Sequence, residues 1–250
     1  MDVGSLFSGI GGLDLGLERA GMKVKWQVEI DEYCNKALAE YWPNVARHRD
    51  VREVGTHNLE PVDLVCGGFP CQDISFAGLG AGLSGARSGL WHEYARIIHD
   101  LRPRYIVVEN VAALLARGIS AVLGFLASLG YDAEWEVLSA SSFGAPHRRD
   151  RLFLVAYTNE IYGQAGMGHQ PEGARKIFKE SPAKRDDVWL QAPTCLDRVD
   201  DGVPSRLYAL AVGALGNAVV PQVAEYIGRM IMAADIACAP CTREGDDGRY

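Results

Sequence analysis

The chain has 250 residues, 48% hydrophobic and 23% charged, the balance of a globular protein with room for one sizeable core. Its formal net charge of −7 argues against a protein that holds nucleic acid by bulk charge alone. No apolar run approaches the roughly 18 residues of a membrane span, and no charged leader opens the chain. The six cysteines follow no disulfide framework, so a reducing, cytoplasmic setting is expected.

Asp2–Phe7 reads as a short strand, followed by the glycine loop Ser8-Gly9-Ile10-Gly11-Gly12 and an amphipathic helix over Leu13–Ala20 that Gly21 caps. Val24–Ile30 is a second strand, and Glu32–Trp42 a helix that Pro43 ends. Val62–Cys66 is a buried strand that runs into Gly67-Gly68-Phe69-Pro70-Cys71-Gln72. Then follow a helix over Leu90–Leu101, a strand over Tyr105–Val108, a helix over Ile119–Leu129 stopped by Gly130, and strands over Glu134–Leu138 and Arg151–Tyr157. This alternation predicts an α/β protein with a doubly wound, mostly parallel sheet covered on both faces.

The pattern breaks over Thr158–Pro204, which has no sustained period and is rich in Gly, Pro and charge. Order returns with Arg206–Val212 and with an amphipathic helix over Val220–Ala234, and the residues from Cys238 onward read as a frayed tail. Cys238-Ala-Pro-Cys241 is a lone CxxC with no second Cys or His pair beside it, so no metal is expected. Basic residues cluster at Arg175, Lys176, Lys179, Lys184 and Arg185, and again at Arg148, Arg149 and Arg151. Such local patches can meet phosphates in spite of the net charge, because fields are screened beyond about 10 Å.

Several residues stand where chemistry is done. The loop at 8–12 lies between a strand and a helix, where glycines let a ligand approach the backbone. Glu29 closes the second strand, 20 residues beyond Gly9, where a carboxylate can accept hydrogen bonds from ribose hydroxyls. Asp14 stands where the dinucleotide fingerprint wants a small residue, so a nucleoside cofactor without pyrophosphate, such as S-adenosylmethionine, suits the loop better. Cys71 sits behind a proline at the end of a buried strand, a place where a thiol can be exposed and reactive. Glu109 ends another buried strand. Arg151 enters the apolar strand Leu152–Ala156, where a guanidinium is costly unless it meets a carboxylate or a ligand.

The ordered set Phe7-Ser8-Gly9-Ile10-Gly11-Gly12, Pro70-Cys71-Gln72, Glu109-Asn110-Val111, Arg149-x-Arg151 and Gly216-Asn217-Ala218-Val219-Val220-Pro221 closely resembles the cytosine-carbon-5 DNA methyltransferases, above all the compact bacterial and phage members. The likeness covers about 1–157 and 198–235. It implies a Rossmann-like S-adenosylmethionine-dependent fold in which 1–157 and 205–237 form the catalytic domain, 158–204 a small target-recognition region and 238–250 a tail. It implies that Cys71 adds to carbon 6 of a cytosine flipped out of duplex DNA, that Glu109 bonds the base, and that Arg151, with Arg149 nearby, orients both.

The resemblance also implies a cofactor site lined by Phe7, Gly9, Gly11, Glu29, Ile30, Asp50, Val51, Gly68, Pro70, Asn217 and Val219. DNA contacts would come from Gln72, Ser75, Arg87, Lys176, Lys179, Lys184 and Arg185, with residues 78–87 as a mobile loop. A monomer is expected, with no membrane partner. The chain departs from the family pattern at His147, where many members have glutamine, at Ala112, where proline is common, and in the shortness of 158–204. An RNA methyltransferase of the same fold, or a silent relative that only binds DNA, are the competing readings. The silent relative is disfavoured by the intact Cys71, Glu109 and Arg151.

Overall fold

Alternating apolar strands and amphipathic helices build a seven-stranded sheet in the computed structural model, which describes residues 1–70, 89–158, 177–178 and 218–238. The strands are β1 (Asp2–Leu6), β2 (Lys23–Val28), β3 (Ala46–His48), β4 (Leu64–Gly67), β5 (Tyr105–Val111), β6 (Tyr131–Ser139) and β7 (Asp150–Thr158). The helices are α1 (Gly12–Arg19), α2 (Glu32–Tyr41), α3 (Gly89–Leu101), α4 (Leu114–Arg117), α5 (Ile119–Ser128) and α6 (Pro221–Cys238).

Strand order is β3-β2-β1-β4-β5-β7-β6. Neighbours are parallel from β3 to β5, and β7 runs antiparallel to both β5 and β6. From β1 the chain winds out to β3, then returns to place β4 on the other side of β1. That reversal opens a crevice beyond the carboxyl ends of β1 and β4, the place where open α/β sheets hold ligands. The doubly wound, mostly parallel sheet expected from the alternation is therefore observed.

Each strand sends alternate side chains to two layers. Ile106 and Val108 of β5 face a core shared with Tyr94, Ile97 and Ile98 of α3 and Val122 and Leu126 of α5. Tyr105 and Val107 face the opposite core, with Leu13 and Leu17 of α1 and Val223, Ile227 and Ile231 of α6. Each such side chain contributes about 1.5–3 kcal/mol when buried. Helices α1 and α6 approach closely because Gly16 faces Ala224 and the carbonyl of Pro221, while a Cβ on Gly228 would stand 2.7 Å from that of Ala20.

The structure shifts several expected boundaries. β5 runs to Val111 rather than Val108, because β7 pairs with it as far as Val111–Arg151. Strand β6 starts at Tyr131 rather than Glu134, again to match β7. Strand β4 runs over Leu64–Gly67 rather than Val62–Cys66, and the Asp63 carboxylate just before it accepts the Asp2 N–H (2.8 Å). The three-residue β3 and the single turn of α4 went unforeseen, being too short to show a period. Helix α6 begins at Pro221, whose missing N–H suits a first helical position, and takes in Cys238. The segment Arg206–Val212 and residues 239–250 lie outside the described residues.

Candidate active site

The glycine loop leaves β1 through a run of left-handed residues: Phe7 (φ 53°), Gly9 (φ 56°) and Gly11 (φ 83°), with Gly11 capping α1. A left-handed conformation is costly for a bulky residue. At Phe7 it is held by a parallel ring contact with Tyr94 of α3, 6.3 Å between centroids. Gly9 has nothing within 4 Å of where a Cβ would stand, so a ligand can reach the backbone there.

The Gly9 N–H donates to Glu29 Oε2 (2.8 Å), and Glu29 Oε1 accepts from the Asp31 N–H (2.8 Å). Gly11 N–H donates to the Ser8 carbonyl (2.9 Å). A phosphate would have to displace a carboxylate from this loop, so the donor set suits a nucleoside with hydroxyls for Glu29. Ile30, 62% exposed, offers an apolar face beside it. The residues present therefore fit S-adenosylmethionine better than a dinucleotide.

The other expected cofactor residues differ in their surroundings. Val219 packs its backbone against Gly12 at the start of α1, which brings 218–220 to the loop. The Asp50 carboxylate is taken up by Arg52, which donates from its backbone N–H (3.0 Å) and pairs through its guanidinium (2.7 Å), and Arg52 holds that carboxyl below the usual range. Val51 is buried in the core, with its carbonyl accepting from Arg96 (2.9 Å). Gly68 sits against the acidic residue of the next strand rather than on the open loop: a Cβ there would stand 2.6 Å from Glu109 Oε2. Pro70 is exposed at the end of the described segment.

Glu109 lies near the carboxyl end of β5, 8% exposed. The register of the antiparallel pair sets Val111 opposite Arg151 and Glu109 opposite Phe153. Arg151 Nε therefore reaches back to Glu109 Oε1 at 3.1 Å, and its Nη1 donates to the Asp150 carbonyl (3.0 Å). The guanidinium thus finds the carboxylate its buried position requires. Burial pushes the Glu109 carboxyl up to about 7, against the opposing charges of Arg151 and then Arg149. Arg149 has φ 37°, and desolvation together with Arg151 lowers the pKa of its guanidinium while Glu109 raises it.

Asn110 joins this acid to the segment that leads to Cys71. It is buried, its Nδ2 donates to the Phe69 carbonyl (2.9 Å), and its Oδ1 accepts from the Val111 N–H (2.9 Å). Phe69 packs on Trp91 and Tyr94, so one aromatic group touches both the cofactor loop and the approach to Cys71. Neither Asn110 nor Tyr94 was expected among the site residues. Asn110 could have been read from its place beside Glu109 in a buried strand. Tyr94 carries no local signal beyond the helical period.

Cys71, Gln72, Ser75, Arg87, Lys176, Lys179, Lys184, Arg185 and Asn217 lie outside the described residues, as does the glycine-rich stretch 78–87. The thiols of Cys34 and Cys66 are free and buried. Burial pushes Cys34 up to about 12 and Cys66 well above the ordinary thiol value, so neither is a nucleophile at neutral pH. No group of three metal-ligating side chains occurs among the described residues, and none of their helices is long and apolar enough to cross a membrane.

Known proteins are similar to this chain in sequence and fold. The sequence profile of a family described as C-5 cytosine-specific DNA methylase matches residues 1–190. The type II methyltransferase M2.BsuMI of Bacillus subtilis (strain 168) is 38% identical over 164 residues, covering 62% of this chain and 42% of that protein. The type II methyltransferase M.FnuDI of Fusobacterium nucleatum is 32% identical over 208 residues, covering 81% of this chain and 57% of that protein. The chain thus spans about half the length of these relatives. A prophage-encoded E. coli protein described as a DNA modification methyltransferase superposes with a TM-score of 0.54 at 29% identity, over 66% of this chain and 49% of that one.

Proposed function

The chain belongs to the C-5 cytosine-specific DNA methylase family, and on that premise we propose that it methylates carbon 5 of cytosine in duplex DNA. The observation that carries this reading is the buried Glu109–Arg151 pair (3.1 Å) at the mouth of the β1/β4 crevice. Its carboxyl, held near neutrality, can either keep or release a proton at working pH.

In this reading a cytosine turned out of the helix lies against Glu109. Cys71, one residue past Pro70, adds as thiolate to carbon 6, forming the carbon–sulfur bond and moving electron density to carbon 5 and N3. Glu109 holds the proton at N3 and accepts from the exocyclic amine, which stabilises that electron-rich state. Arg151 fixes the carboxylate, and Arg149 adds positive charge nearby. S-adenosylmethionine, when bound by Phe7, Gly9, Gly11, Glu29, Ile30 and Val219, supplies an electrophilic methyl group. With the methyl group on carbon 5, loss of the carbon-5 proton to solvent breaks the carbon–sulfur bond and expels Cys71 as the thiolate.

Residues 158–204 serve as the region that meets the DNA groove, with Lys176, Lys179, Lys184 and Arg185 on phosphates. Ile177 supports this placement: it is buried in the core, and its N–H donates to Glu134 Oε2 (2.9 Å), which tethers the segment to β6.

Transfer of a labelled methyl group to duplex DNA, with tRNA as the competing substrate, tests the reading. Wild-type protein is expected to label duplex DNA and to be trapped covalently on DNA containing 5-fluorocytosine, whose fluorine blocks proton loss. Cys71→Ser should abolish both while S-adenosylhomocysteine still binds. Labelling of tRNA alone overturns the substrate, and methyl transfer without trapping overturns the role of Cys71.

A further inference from the structure

A row of polar side chains crosses the α1 face of the sheet in the middle of an apolar layer. Ser5 of β1 is in register with Gln27 of β2 and with Cys66 of β4, so the three project to one side. Asp14, in the first turn of α1, lies over them. Ser5, Asp14, Gln27 and Cys66 are all 0% exposed, among Leu13, Leu17 and Leu64. Gln27 Nε2 donates to Asp14 Oδ2 at 2.7 Å. Three oxygens remain without a hydrogen-bond partner: Asp14 Oδ1, Gln27 Oε1 and Ser5 Oγ.

Buried acceptors are rarely left unpaired, because each forfeits its bond to water. An ionised Asp14 makes the problem worse. Its Oδ1 and Gln27 Oε1 are then both acceptors, and no ion pair among the described residues involves Asp14. A single proton on Oδ1, taken from solvent, turns one acceptor into a donor and satisfies two orphaned oxygens together.

We propose that Asp14 and Gln27 form a protonation-dependent two-way pair, Gln27 Nε2 donating to Oδ2 and Oδ1–H donating to Gln27 Oε1, that seats α1 and the glycine loop on the sheet. Asp14 is a positioning residue: the loop carrying Gly9 leads into the same helix through its N-cap Gly11, and Glu29, two residues past Gln27, holds the Gly9 N–H. The proposal rests on the reading that this loop carries the cofactor.

The electrostatic surroundings agree. Burial raises the Asp14 carboxyl to about 6, opposed by the neighbouring Ser5 hydroxyl and Gln27 amide and reinforced by Glu18. The positive end of α1 also favours the charged form and offsets part of the burial. From β4 comes the buried Cys66 thiol, itself raised mainly by burial. On β2, Lys25 is committed to Asp2 (3.9 Å) and Glu60 (3.2 Å). Helix α6 brings Glu225, paired with Arg229 (2.7 Å). The proton is thus kept beyond the ordinary carboxyl value and lost only as pH rises through about 6, leaving a one-way bond.

The test uses the full chain and has two arms. Carboxyl-carbon NMR against pH, with Asp14→Asn to assign the signal, should place the Asp14 midpoint well above an ordinary aspartate. A midpoint at the ordinary value, near 4, overturns the proposal. In the second arm the probe is S-adenosylhomocysteine. Wild-type affinity should weaken by about threefold or more from pH 5 to pH 8. Asp14→Asn, whose amide can pair both ways at every pH, should lose that dependence and stay within about twofold of wild type at pH 5. The same pH dependence in both proteins overturns the positioning role. Failure of S-adenosylhomocysteine to bind wild type at any pH refutes the cofactor reading instead, and the carboxyl titration still decides the pair.

Discussion

Two buried carboxyl groups, Glu109 and Asp14, lie on the same side of the sheet and are kept by different means. Both are pushed upward by desolvation, Glu109 to about 7 and Asp14 to about 6. Glu109 has a guanidinium at 3.1 Å and a second arginine nearby, while Asp14 has only an amide and a hydroxyl. That the group with the cations is raised as well is instructive. The arginines oppose the shift without cancelling the cost of removing a carboxylate from water, so the charge of a neighbour alone does not predict protonation. The crevice leaves Glu109 an outlet towards a ligand, whereas Asp14 has none. The first is placed to exchange a proton during a reaction and the second to hold one.

Removing the acid of the open site should have the largest effect. Glu109→Gln keeps the shape but leaves Arg151 facing an amide, and methyl transfer should fall by about two or more orders of magnitude. Its stability should move in the opposite sense with pH. The raised carboxyl contributes stability that is present below about 4.5 and lost as pH rises through about 7, so the variant should gain on wild type in thermal melts between pH 5 and pH 8. A rate within about threefold of wild type would reduce Glu109 to a strand-end partner of Arg151.

Crowding the same carboxylate without changing its chemistry should cost less. Gly68→Ala sets a methyl group 2.6 Å from Glu109 Oε2, too close for either to stay in place. Glu109 or the β4 loop must shift to restore an ordinary contact, and methyl transfer should drop about tenfold with little change in melting temperature. Full activity in this variant would show that Glu109 turns away from Gly68 when substrate binds.

The two carboxylates also differ in how well the sequence reveals them. Glu109 follows an apolar run and Arg151 precedes one, and a guanidinium entering a buried strand needs a partner. The encounter of the two was therefore foreseeable, but the antiparallel return of β7 that brings it about was not. The glycine loop and Glu29 were legible from their spacing, while the closeness of Gly68 to Glu109 shows only in the fold. Asp14 registered only as a misfit to a dinucleotide fingerprint. Its partner lies 13 residues away on β2, and nothing local to either residue marks the pair. Asp50 and Val51 illustrate the same limit, because only the fold shows one carboxylate spent on Arg52 and one side chain turned into the core.

The smallest effect should come from Ser5→Ala, which probes the closed site without touching the pair itself. The Ser5 hydroxyl is buried and lacks a hydrogen-bond partner, yet it lies close enough to Asp14 to favour the charged form. Removing it gives up no counted bond and relieves the core of an orphaned polar atom, so stability should hold or rise by up to about 1 kcal/mol. In a chain of this size that is a shift of about 2–4 °C in melting temperature. The Asp14 carboxyl should then titrate higher than in wild type, while the rate of methyl transfer stays unchanged. A lower melting temperature would mean that Ser5 makes a true hydrogen bond to an ionised Asp14. The closed site would then hold a charge rather than a proton, and the two-way pair would lose its basis.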